Sequence, residues 1–97
     1  MLGTITVGFK LLDKKVGKVK VAGLSELGVY PHGEGVGRRA LLFVEAIADP
    51  LPVVGFAEDN VLGFYESCSW YVGRKIDGKF LVSSEPVDDS KFEGGIW

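Results

Sequence analysis

The 97-residue chain is poor in the residues that staple or metallate small domains: one cysteine, Cys68, and one histidine, His32. A single thiol cannot close an internal disulfide, and one Cys with one His leaves no zinc set of the usual kind, so no structural metal is expected. No apolar run approaches the ~18 residues of a membrane span, and no basic segment followed by an apolar stretch opens the chain. A protein without leader or membrane association, in the cytoplasm, is the expectation. Excess positive charge is also missing. Eleven Lys and Arg stand against 13 Asp and Glu, a net charge of −2, which argues against nucleic acid as a partner.

What is present is ordinary globular composition, 46% apolar and 25% charged, in a length that suits one domain. At this size folding buries only about two-thirds of the unfolded chain's surface, leaving little room for an enclosed cavity. Charge is uneven. Glu85, Asp88, Asp89 and Glu93 face Lys91 alone, so residues 85–97 read as an acidic tail after a domain of residues 1–84. The five lysines between Lys10 and Lys20 read as solvated strand edges and a turn.

Ile5, Val7, Phe9 and Leu11 alternate with Thr4, Thr6, Gly8 and Lys10, which predicts a half-buried strand from Thr4 to Leu11. Asp13 to Gly17 reads as a hairpin turn, and a second strand from Lys18 runs to Val29. Gly23 and Gly28 would be costly there unless a bulge or a close backbone approach uses the missing side chain. Pro31 stops the strand, and His32 to Gly37 is a glycine loop. Arg38 to Ala48 then carries Ala40, Leu41, Val44, Ile47 and Ala48 at helical spacing, leaving Arg38 and Glu45 for solvent. Leu51 to Ala57 reads as a doubly covered strand reached by a parallel crossover. Asp59 is the expected N-cap of a weak helix over Asn60 to Cys68. Trp70 to Ile76 and Lys79 to Ser83 form a hairpin about Asp77-Gly78. The predicted fold is α/β, a mixed ββ-αβαββ sheet flanked by two helices.

A glycine loop opening a helix places backbone N–H groups around the positive helix end, which suits an anion such as pyrophosphate. The Walker and dinucleotide-fold spacings are absent. Leu27-Gly28-Val29-Tyr30-Pro31, then Glu34-Gly35-Val36-Gly37-Arg38 and Leu41-Leu42, resembles the acetyl-CoA signature of the GNAT superfamily of N-acetyltransferases. Asp59-Asn60-Val61-Leu62-Gly63-Phe64-Tyr65-Glu66 before Trp70 is similar to that family's fourth helix. Segments around Glu26 to Val29 and Val54 to Phe56 are similar to the branch holding aminoglycoside 2′-N-acetyltransferases and the nodulation acyltransferase.

The resemblance covers about Thr4 to Ser83 and implies the cofactor-binding half of such a fold, without its first strand and first two helices. It implies acetyl-CoA as acyl donor and a small-molecule primary amine as acceptor. The donor's pantetheine arm would pair with the backbone of Leu27 and Val29 where two strands part. Its pyrophosphate would rest on Glu34, Gly35, Val36, Gly37 and Arg38, with Asn60 at the edge. Tyr65 would protonate the departing thiolate, and Glu26 is the candidate base. On spacing alone Tyr65 is a core aromatic, Glu26 a paired or solvated strand acid and His32 a plain loop residue. Ser69 stands where the family has glycine. A non-catalytic CoA-binding or interaction module, with Phe92 and Trp97 exposed, is the alternative, and a scaffold for strand-edge dimerisation a more remote one. Open sheet edges and an apolar tail predict a homodimer.

Overall fold

Tight turns fix the two hairpins of the computed structural model, which describes residues 4, 6–30, 33 and 35–97. Strand β1 is Thr6–Val16 and β2 is Val19–Tyr30, joined by Gly17-Lys18. Gly17 at φ +63° takes the first loop position, where a two-residue connection with one left-handed residue calls for glycine. The turn therefore falls at the end of the expected Asp13 to Gly17 segment, and not across Asp13 to Lys15. Those residues extend the strand, Asp13 opposite Ala22, Lys14 opposite Val21 and Lys15 opposite Lys20. Strands β4 (Tyr71–Ile76) and β5 (Lys79–Ser83) turn as expected at Asp77-Gly78, both at positive φ.

Lys10 pairs with Glu26 and Leu11 with Leu24, leaving Ser25 as an extra residue in β2. This bulge reverses the alternation, so Leu24 before it and Leu27 and Val29 after it share one face. A bulge also bends its strand and sharpens the twist. The glycines at 23 and 28 signalled an irregularity, and it falls between them.

Helix α1, Val36–Ala48, starts two residues earlier than expected and buries Ala40, Leu41, Val44 and Ala48. Two parts of the helical reading are corrected. Ile47 is 56% exposed, together with Leu42 and Phe43, because the sheet accepts only one narrow stripe of the helix. Glu45, expected in solvent, is half-buried beside Trp70. Strand β3, Val53–Ala57, then runs parallel to β2, and the sheet order is β1-β2-β3-β5-β4. Among the described residues the fold is mixed, a five-stranded sheet with two α-helices.

The second helix is shorter than expected. A 3₁₀ turn at Asp59–Val61 leads into α2, Leu62–Ser67, and Asp59 makes no side-chain cap. Ser69 at φ +64° occupies a left-handed position that glycine would take without strain.

Each sheet face carries its own core. One packs Ala22, Leu24, Val53, Ala57 and Val82 against α1 and Trp70. The other gathers Val16, Val21, Val54, Ile76 and Leu81 under Phe92, with Phe56, Val87 and Trp97 around it. The acidic tail is thus no appendage. Phe92 is 4% exposed, and its exposed-tail reading is overturned because the face opposite the helices needs cover. Arg74 fastens the tail: its backbone N–H donates to Asp89 Oδ2 at 2.8 Å, its Nε to the Asp89 carbonyl at 3.1 Å and its Nη2 to the Phe92 carbonyl at 3.0 Å. With the tail aromatics packed inside, only the open edges β1 and β4 remain as grounds for a dimer. No helix among the described residues is long and apolar enough to cross a membrane.

Candidate functional site

Strands β2 and β3 pair at two positions only, Ala22 with Val53 and Gly23 with Val54. Beyond Gly23 the bulged β2 bends away. The β2 edge over Ser25–Val29 that faces away from β1 has no β3 partner in the register. Unpaired strand edges need hydrogen-bond partners, from water or from an extended ligand.

A cleft of about 420 Å³ opens over this parting. Leu27 and Val29 form its strand wall, Gly33, Val36 and Gly37 its loop and helix wall, and Val61, Phe64 and Tyr65 close it from the α2 side. Its walls are mostly apolar. Gly37 is required by packing, since a Cβ there would lie 2.7 Å from Phe64 Cε1. Gly35 is required by conformation, because it precedes α1 at φ +79°.

The α1 N-terminus has no side-chain cap and no acid in its first turn, which carries Arg38 and Arg39 instead. Basic groups oppose the positive end of a helix dipole, so this turn favours an anion more than most. Arg38 is partly committed, its Nη2 donating to the Ser67 carbonyl and tying α1 to the end of α2.

Tyr65 is held by aromatic neighbours, Phe64 at 5.2 Å and Trp70 at 5.3 Å between ring centroids. Burial, and after it the nearby Cys68, push the phenol above its ordinary pKa. It keeps its proton at neutral pH and is a weaker acid than a free phenol. Glu45 is likewise raised, by burial first and by Glu85 last, while the Trp70 indole N–H favours its charged form without closing a full hydrogen bond.

Five of the ten site residues expected from sequence line the cleft: Leu27, Val29, Val36, Gly37 and Tyr65. Gly35 and Arg38 lie next to it on the same helix start. Asn60 is exposed in the 3₁₀ turn, one residue from the lining Val61. Glu34 lies outside the described residues, as does His32. Glu26 is exposed on the opposite face of β2, across from Lys10, and does not share the cleft with Tyr65. Val61 and Phe64 were missed, although their spacing with Tyr65 puts them on one side of the α2 turn. Among the described residues no three His, Cys, Asp or Glu side chains converge as a metal site would require. Comparison with protein families, curated proteins and solved structures finds no significant match.

Proposed function

We propose that the chain binds an acyl-CoA in this cleft and transfers the acyl group to a primary amine. The observation that carries the reading is the parting of β2 from β3 after Gly23, which leaves a bare strand edge beside Leu27 and Val29. An extended arm with amide groups can complete that edge as a missing strand would. The uncapped α1 start with Arg38 and Arg39 then suits its pyrophosphate. The sequence resemblance to the GNAT superfamily supports the same assignment of elements.

Bound there, an acyl-CoA supplies an activated thioester. As the amine nitrogen forms its bond to the carbonyl carbon and the C–S bond breaks, Tyr65 gives its phenolic proton to the sulfur. The proton shed by the amine returns to the phenol through solvent. Glu26 serves as base only for an amine that approaches from its own face of β2.

The experiment is calorimetric titration with acetyl-CoA and with CoA, followed by thiol release against a panel of primary amines. Absence of binding at millimolar concentration overturns the reading. Tyr65→Phe should retain CoA affinity while slowing thiol release by about 10²- to 10⁴-fold. The second reading, CoA binding without catalysis, is favoured by the separation of Glu26 and Tyr65 on opposite faces of β2. Its sign is CoA binding with no thiol release from any amine.

A further inference from the structure

The tail meets β2 on the sheet face opposite the cleft. Gly23 makes the last parallel pair with β3, and it faces the tail side of the sheet. A methyl group on Gly23 would stand 2.9 Å from both Lys14 Cγ and Trp97 Cε2 and 3.0 Å from Trp97 Nε1, so the flexible lysine stem and the indole would both have to shift. The indole therefore occupies the space under the backbone where β2 leaves β3. Its own position is fixed from several sides. Phe56 of β3 meets it edge-on at 4.9 Å, Phe92 lies tilted at 5.5 Å, and Lys14 Nζ stands 5.8 Å over the ring.

Aromatic packing alone does not account for an indole here. Nε1 of Trp97 is buried without a partner among the described residues, a cost that phenylalanine would avoid.

We propose that Trp97 is a positioning residue for the cleft, a wedge that holds β2 at its branch point so that the bend at Ser25 opens a preformed gap instead of relaxing into the sheet. As a statement about acyl-CoA affinity this rests on the function proposed above. As a statement about the strand edge it stands by itself. A strand held two residues before its bulge transmits the bend to the residues that follow, which are those of the cleft wall.

The test uses the full chain carrying Trp97→Ala, Gly23→Ala, or both, because removing the indole removes the Trp97 atoms that an alanine methyl at 23 would meet. CoA affinity is measured by calorimetry, and amide hydrogen exchange is compared over Ser25–Val29 and over Lys79–Ser83. Each single variant is expected to weaken CoA about tenfold and to raise exchange at Ser25–Val29 but not at Lys79–Ser83, with the double variant no worse than Trp97→Ala alone. Unchanged exchange at Ser25–Val29 in both single variants, or a double variant worse than either, overturns the wedge and leaves Trp97 as a core residue. Should the wild type fail to bind CoA, the acyl-CoA reading falls and the exchange pattern decides the wedge.

Discussion

Glu45 was expected in water and sits instead beside the buried Trp70, with Glu85 nearby and, among the described residues, no cation paired to it. Its carboxyl is raised, so the folded state prefers the protonated form. The unfolded chain binds fewer protons between the two pKa values, and ionised Glu45 weakens the fold at neutral pH. Glu45→Gln should therefore melt higher than the parent at pH 7, with the difference shrinking as pH falls through the raised value toward the ordinary 4.5, below which both states are protonated. Thermal unfolding across that range checks the sign; an equal or lower melting point at pH 7 contradicts it. The sequence could not supply this environment, because Trp70 lies 25 positions away and reaches Glu45 only through the sheet. Tyr65 is the opposite case. Its motif named it, and the packing of Phe64 and Trp70 around it accounts for its burial.

At the scale of elements, local chemistry made the hairpins and the crossover legible. Asp77-Gly78 specified its turn, and the apolar stripe of α1 specified a helix followed by a covered strand. Boundaries failed where tertiary pairing overrode composition. Asp13 to Lys15 look like a turn, yet they pair across to Lys20, Val21 and Ala22, and the loop moves to Gly17. Gly37 read as part of a phosphate loop, and its measurable role is to let α1 approach Phe64 of α2. Gly37→Val should cost about 1–3 kcal/mol through that overlap, and most of the loss should disappear in a Phe64→Ala background. Denaturant unfolding of the four chains gives the coupling. Additive losses would show that Gly37 is needed for something other than Phe64.

For the whole molecule the tail changes the account most. Val87, Phe92 and Trp97 recur every fifth residue, which matches neither a strand nor a helix, so nothing in their pattern announced a buried layer. Yet they cover the part of that sheet face around Val21, Val54 and Leu81 and, with the Arg74 hydrogen bonds, bind residues 85–97 into the same unit. Phe92→Ala should cost about 3–5 kcal/mol, a large share of the stability of a domain this size, whereas Glu93→Ala should be nearly neutral. Urea unfolding followed by circular dichroism separates the two. A mild effect at Phe92 would mean that the sheet face tolerates exposure without its cover.

Ser25 is the residue of β2 without a partner across the hairpin, and its removal would separate the shape of the strand from its side chains. Without it Leu24 would still stand opposite Leu11 and Glu26 opposite Lys10, so Leu27 and Val29 would keep their side of the sheet and Glu26 and Gly28 theirs. What would go is the bend: a β2 without its bulge alternates regularly and is free to run on beside β3 past Gly23, closing the edge that lines the cleft. The site is therefore more sensitive to the count of residues between Leu24 and Leu27 than to which residue stands at 25, and a substitution at Ser25 should be borne far more easily than its loss.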